Sequence, residues 1–431
     1  MTDTDLALGR LTDADAAVLG ALDEQRMVDD LVGMLRVPSV TGTDAETDLQ
    51  HQHARRLDAL GFDVDTWRLD LAALRRDPDF PGTEAPRSEG YGVVGVLGPE
   101  GVPALALQGH VDVVPPGDLS SWEGADPWSG AIRDGAVHGR GACDMKGGLA
   151  VNLAVAHALA ASGLRLARPF AVHAVVSEED GGLGAFATLR RGHRAEAAVI
   201  TEPTSGQVVV ANAGALTFRL TVRGLATHGS TRHVGRSAFE LFLPLHAAVV
   251  ELERERNAAP DRLFDGNPLP YPISVGTVRT GEWASSVPDL LVAEGRLGVL
   301  LDEAPEDARA ALERVVVEVC ATDPWLRDHP VQVDWPGGQF ASGRLDVAHP
   351  LVGEVRDAVR ATSRRDVGLA AAPYGSDLRL YSGLGGIPTL HHGPGDVRLA
   401  HGPREQVDVA DLVATARALA VLAARRCGAH R

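Results

Sequence analysis

The chain has 431 residues, 45% hydrophobic and 23% charged, a globular composition with length enough for two domains. Its 58 acidic residues against 41 basic ones give a net charge of −17, which argues against a nucleic-acid or anionic-membrane partner. The acidic start, Met1 to Asp5, lacks a basic stretch followed by an apolar one, and no apolar run approaches a membrane span, so a soluble, cytoplasmic protein is expected.

The first periodic segments are helical, around Asp23 to Leu35 and Asp48 to Leu60. Strand-length apolar runs follow at Phe62 to Leu69, Tyr91 to Leu97 and Ala104 to Gln108, the first two separated by a polar, proline-containing loop from Asp77 to Glu89. A helix from Leu149 to Ala161, apolar nearly all round, should be buried. Phe170 to Val176 and Ala197 to Thr201 read as interior strands, and their alternation with helices predicts an α/β layer architecture.

After Asn212 the rhythm changes. Leu216 to Arg223, a helix from Ser237 to Arg256, strands at Ile273 to Val278 and Leu290 to Leu301, a helix from Pro305 to Ala321 and a strand at Val331 to Trp335 follow the order β-α-β-β-α-β. That order predicts an inserted ferredoxin-like unit. The first rhythm then resumes with a helix from Pro350 to Thr362, a turn at Gly375-Ser376-Asp377, a strand at Ile387 to His391 and a helix from Val409 to Arg425. The expected organisation is a catalytic domain in two parts, 1–212 and 340–431, interrupted by a second domain at 213–339.

Chemistry gathers at the ends of the apolar runs. Ala174-Val175-Val176 breaks into Ser177-Glu178-Glu179-Asp180-Gly181-Gly182, and carboxylates at the mouth of a buried strand are costly unless paired or bound to metal. His110 and Asp112 follow another run, Glu202 follows Val199-Ile200-Thr201, Asp144 lies in the turn Cys143-Asp144-Met145-Lys146-Gly147-Gly148, and His401 lies in Ala400-His401-Gly402. In an open α/β sheet, sites form beyond the carboxyl ends of the strands, where such residues can converge.

The set suits two divalent ions, which need a bridging carboxylate, terminal His and carboxylate ligands and a free carboxylate to take a proton from water. Asp144 suits the bridge, His110 and Glu202 one ion, and Glu179 and His401 the other. Asp112 is placed to accept the second N–H of His110. Glu178 is left as the general base. Two zinc ions are expected, with cobalt or manganese as substitutes. The cysteines, Cys143, Cys320 and Cys427, form no Cys-x-x-Cys pair, so neither a disulfide framework nor a zinc ribbon is expected. Lys146 is the sole lysine of the chain, which suggests that a guanidinium would not fit beside Asp144; chance survival is the alternative.

From Leu31-Val32-Gly33-Met34-Leu35-Arg36-Val37-Pro38-Ser39 to His401-Gly402-Pro403-Arg404-Glu405, the chain resembles the M20-type zinc peptidases that include acetylornithine deacetylase, succinyl-diaminopimelate desuccinylase, aminoacylase-1 and carboxypeptidase G2. The resemblance implies the ligand roles given above, a central mixed sheet flanked by helices, and an inserted lid through which two subunits pair as a homodimer. It also implies that His228, in Ala226-Thr227-His228-Gly229-Ser230, reaches the neighbouring subunit's site and polarises the scissile carbonyl. Gly375 and Ser376 look like the turn that faces the substrate's carboxylate end, with a helix N-cap at Ser376 as the other reading. Arg279 and Arg296 are candidates for gripping a carboxylate. Where the resemblance leads one to expect an asparagine before Val287-Pro288-Asp289, this chain has Ser285-Ser286. Glutamate at position 202 leans toward deacylases and carboxypeptidases. The activity so implied is hydrolysis of an N-acyl amino acid or small peptide; the alternatives are a dipeptidase or aminopeptidase, and a silent protein that binds amino-acid conjugates.

Overall fold

A computed structural model describes residues 11–122, 126–363 and 365–431; the acidic start at Met1 to Asp5 lies outside them. The chain divides into two compact units. One runs through Val210 and resumes over Arg344–Ala370 and Asp377–Arg431, and the other comprises Ala211–Gly343 and Ala371–Ser376.

The first unit is built on a mixed sheet. Its strands run in the order Asp63–Arg68, Tyr91–Leu97, Phe170–Val175, Leu105–His110, Ala198–Ile200 and Thr389–His391, and Val209 pairs with His391 beyond them. The last four of the ordered strands are mutually parallel, while Tyr91–Leu97 runs antiparallel to Phe170–Val175. Phe170–Val175 and Leu105–His110 are buried at every position, as continuous apolar runs in a covered parallel sheet should be. The helix Gly147–Ala161 packs against Leu105–His110 and against the helices Glu24–Leu35 and Val409–Arg426, and it is buried almost all round.

Two differences from the sequence reading bear on the site. The strand expected to stop at Gln108 continues through Gly109 to His110, because His110 pairs with Val175 in register. A small antiparallel sheet of Ala131–Arg133, Ala136–His138 and Gln406–Asp408, too short to show a period, ties the segment after His401 to the segment before Asp144. Away from the site, the helix Leu183–Arg190 and the strand Val208–Asn212 add to the elements expected from the sequence.

The second unit has an antiparallel sheet in the order Ile273–Thr280, Leu290–Val299, Gly214–Arg223 and Gln332–Asp334. Along Gly214–Arg223, Leu216, Phe218, Leu220 and Val222 are buried in a core shared with the helices Ala238–Arg256 and Pro305–Thr322. Residues 371–376, which the sequence reading assigned to the first domain, group with this unit. The N–H of Ala213 donates to the Ala372 carbonyl at 2.8 Å, and a Cβ at Gly375 would strike Phe340.

Candidate metal centre

Three adjacent parallel strands deliver acidic and imidazole groups at their carboxyl ends. Leu105–His110 ends in His110, Phe170–Val175 leads into Glu178 and Glu179, and Ala198–Ile200 leads into Glu202. Asp144 comes from the turn ahead of the helix Gly147–Ala161, and its two carboxylate oxygens face different rings. Oδ1 lies 3.3 Å from His110 Nε2, and Oδ2 lies 3.4 Å from His401 Nε2. Beyond the first ring Glu202 Oε1 is 3.8 Å from His110 Nε2; beyond the second, Glu179 Oε2 is 3.2 Å from His401 Nε2. One ligand atom each of His110, Asp144 and Glu179 lie within 4.8 Å of one another, and the same holds for His110, Glu178 and Glu202.

The donor set fits divalent cations. Among the described residues His110 Nε2 and Glu179 Oε1 find no hydrogen-bond partner although both atoms are buried, a costly state that a cation would relieve. Burial lowers the proton affinity of His110, yet the carboxylates of Asp144, Glu202, Asp112 and Glu178 outweigh it and raise its pKa well above the usual value. Glu179, ahead of Asp144, pushes His401 up to about 11. Burial, reinforced by neighbouring carboxylates, raises Glu178 and Glu202 well above the carboxylate range. Burial acts the same way on Asp144, but its contacts with His110 and His401 win and hold it low.

The sequence placed the Asp112 carboxylate on the second N–H of His110, and here the structure differs. His110 Nδ1 lies 2.9 Å from the main-chain carbonyl of Asp112, with the carboxylate at 3.6 Å. That carboxylate is engaged elsewhere, accepting the N–H of Glu178 at 3.1 Å, the N–H of Glu179 at 3.2 Å and the Thr41 hydroxyl at 3.0 Å. Since Nδ1 donates to a carbonyl, Nε2 is directed toward Asp144 and Glu202.

Several supporting groups escaped the sequence reading. Glu405 Oε1 accepts the N–H groups of Gly141 at 2.9 Å, Cys143 at 3.3 Å and Asp144 at 3.2 Å, while Arg140 pairs with Oε2. Asp377 accepts from Gln108 Nε2 at 2.8 Å, and Arg379 donates to the Gly181 carbonyl at 2.8 Å. Only the Gly375-Ser376-Asp377 turn and the run of residues after His401 hinted at these groups in the sequence.

The remaining candidates belong to the second unit. His228 is exposed on the short strand Thr227–His228, which pairs with Ser286–Val287. Arg279 is paired with Glu294 at 3.2 Å, and the backbone of Arg296 lies in the sheet opposite Thr217 and Ser274. Gly375 packs on Phe340, and Ser376 is buried beside it in sequence. Lys146 is fully buried and donates to the carbonyls of Met34 at 3.2 Å and Val37 at 2.8 Å. The three cysteines are free and buried.

Residues 106–425 match the profile of the family described as Peptidase family M20/M25/M40. Among similar proteins, an N-formyl-4-amino-5-aminomethyl-2-methylpyrimidine deformylase of Halalkalibacterium halodurans is 27% identical over 82% of this chain and 83% of its own length. An acetylornithine deacetylase of Proteus mirabilis is 26% identical over 92% of this chain and 96% of its own. A solved structure of a di-peptidase from Saccharomyces cerevisiae shares the fold with a TM-score of 0.77 at 14% identity, covering 96% of this chain and 98% of that one.

Proposed function

Because the chain belongs to peptidase family M20/M25/M40, whose members are metal-dependent hydrolases of amide bonds, we propose that it is a two-zinc amidohydrolase that removes an acyl group from the nitrogen of an amino acid or related amine. The observation that carries this reading is the division of Asp144, one oxygen toward His110 and Glu202 and the other toward His401 and Glu179. These five residues would hold the two ions, with cobalt or manganese able to replace zinc. When bound, the cations supply Lewis acidity that acidifies water and polarises the amide carbonyl.

Glu178 takes the proton of the attacking water and hands it to the leaving nitrogen. Its buried carboxylate has a high proton affinity, which suits a group that must both accept and return a proton. Asp112 holds the backbone of Glu178 and Glu179 together, so base and ligand keep a fixed spacing. In His228, Nδ1 lies 3.2 Å from the main-chain nitrogen of Ser230 and 2.7 Å from its hydroxyl oxygen, so Ser230 engages this ring nitrogen and leaves Nε2 free to face outward. We assign Nε2 the role of donor to a carbonyl oxygen in the site of a second copy, in a homodimer formed through the second unit.

The names of the relatives favour the deacylase reading, since a formyl group in one and an acetyl group in the other is removed from nitrogen. Free, buried cysteines suit the reducing cytoplasm, and no helix among the described residues is long and apolar enough to cross a membrane.

The test is a panel of N-formyl, N-acetyl and N-succinyl amino acids and free dipeptides, with zinc, cobalt or manganese supplied. Turnover of N-acyl substrates that falls roughly 10²- to 10⁴-fold in Glu178→Gln, with cation binding retained, is expected. Cleavage of dipeptides alone would replace the deacylase reading with a dipeptidase one. No turnover at all would leave a binding protein.

A further inference from the structure

Asp180 closes the acid-rich turn and touches neither ring nor carboxylate of the proposed cation ligands. It is buried, and its Oδ2 accepts the main-chain N–H of Glu84 at 3.0 Å and of Ala85 at 2.8 Å. Its Oδ1 takes the hydroxyl of Ser177. A second bridge runs in parallel. Arg87 Nη1 lies 3.2 Å from Glu46 Oε2, while Glu46 accepts the N–H of Ser177 at 3.1 Å and that of Gly42 at 2.7 Å.

Both bridges start in residues 84–87, which lie in neither helix nor strand, and both end on Ser177. Ser177 adopts φ of 62°, a left-handed conformation that a residue with a Cβ holds only when its surroundings impose it. Glu178 is the next residue, so the direction of its side chain follows from the Ser177 backbone. The polar loop contributes no group to the metal centre, yet it is fastened to the turn by two buried carboxylates.

We propose that Asp180 is a positioning residue for Glu178: it straps residues 84–87 to the turn and, together with Glu46, holds Ser177 in the conformation that aims the base. The proposal rests on the reading of Glu178 as the general base.

Asp180→Ala and Asp180→Asn, prepared as full chains with zinc, test it. Asparagine keeps an oxygen for the N–H groups of Glu84 and Ala85 and an amide for Ser177, whereas alanine keeps neither. Asp180→Ala is expected to lower kcat roughly 10- to 100-fold with KM within about twofold, because a displaced catalytic group costs that much. Zinc stoichiometry should stay unchanged, Asp180→Asn should restore most of kcat, and the amides of Glu84, Ala85, Glu178 and Glu179 should exchange with deuterium faster in Asp180→Ala alone. Normal kcat alongside deprotected Glu84 and Ala85 would overturn the proposal, leaving Asp180 as a tether for the loop. Equal loss in both variants would also overturn it, since charge rather than geometry would then matter. If Asp180→Ala does not fold, Ser177→Ala, which removes only the hydroxyl, is expected to lower kcat with KM kept; unchanged kcat there counts against the strap. If the wild-type chain cleaves no amide, the functional reading falls by itself, and exchange at Glu178 and Glu179 in the variants still decides for or against the strap.

Discussion

Asp112 Oδ1 accepts the main-chain N–H of Glu178 at 3.1 Å. The other oxygen serves Glu179, so one fully buried carboxylate sets the spacing between the proposed base and a proposed ligand. Asp112→Ala strips the acceptor from two N–H groups, at a cost of about 1–3 kcal/mol for each donor left unpaired. We expect kcat/KM to fall roughly 10- to 100-fold, with a smaller loss in Asp112→Asn, which keeps one oxygen. Steady-state kinetics with thermal melts check this; equal activity in wild type and Asp112→Ala would refute the spacing role.

Zinc binding should release protons. His401 is pushed up to about 11, first by Glu179, and His110 is raised well above its usual value against the opposing effect of burial. The His401 ring is therefore protonated at pH 7.5 before a cation binds, the raised proton affinity of His110 acts in the same direction, and a ring nitrogen must shed its proton to become a ligand. Calorimetric titration with zinc in buffers of different ionisation enthalpy should report roughly one proton or more released, and about one fewer in His401→Ala. Zinc uptake without proton release would contradict this electrostatic account.

The lysine beside Asp144 ties the site to the end of the helix Glu24–Leu35 through the carbonyls of Met34 and Val37. Lys146→Met removes one donor from each of those carbonyls, which keep the N–H groups of Val37 at 3.1 Å and Ser39 at 2.8 Å, and should cost about 0.5–1.5 kcal/mol for each hydrogen bond lost. Lys146→Arg must fit a wider planar group where Nζ now sits, and an overpacking cost of about 1–3 kcal/mol is expected. Denaturant melts measure both. A Lys146→Arg protein with unchanged stability, zinc content and turnover would show that arginine fits there and that the lone lysine is an accident of descent.

Acid should unfold the first unit through buried histidines. Burial lowers His53 to about 4 and His173 to about 3, whereas in the unfolded chain both titrate near 6.5. Between those values the unfolded state binds more protons than the folded one, so stability rises with pH. It is fully present above pH 6.5 and drains away as pH falls toward 4. For each such ring the slope is about 1.4 kcal/mol per pH unit at most. In zinc-free protein, to separate this from ligand protonation, melts from pH 7.5 to 4.5 should show a shallower decline for His53→Gln than for wild type. Parallel declines would exclude His53 as a contributor.

The sheet was legible because its central strands are buried on both faces and so read as unbroken apolar runs, and because charge at the end of such a run demands an explanation. That logic located His110, Glu178, Glu179 and Glu202 at strand ends, which the structure brings together with Asp144 and His401. It failed for the supporting groups. Glu405 and Gly141 are separated by 264 residues and joined through a three-residue strand, Gln406–Asp408, whose pattern carries no signal. Glu46 lies ahead of the helix expected from Asp48; the structure starts that helix at Asp44, and an acid in its first turn is an ordinary partner of the helix dipole. The spacing of Asp112 from His110 marks it as part of the site, but its acceptor role depends on where the chain turns after His110, which residue type alone does not set.

The grip of Glu405 on the Gly141-to-Asp144 backbone has a consequence for biosynthesis. The ribosome makes Asp144, the acid turn and Glu202 first, then the whole of Ala211–Gly343, and only afterwards His401 and Glu405. Until residue 405 has emerged, the N–H groups of Gly141, Cys143 and Asp144 lack their acceptor, and Asp144 and Glu179 lack His401. A nascent or prematurely ended chain thus carries most of the acids and no finished centre, so the capacity to seat the two proposed cations appears late, as a property of the completed first unit.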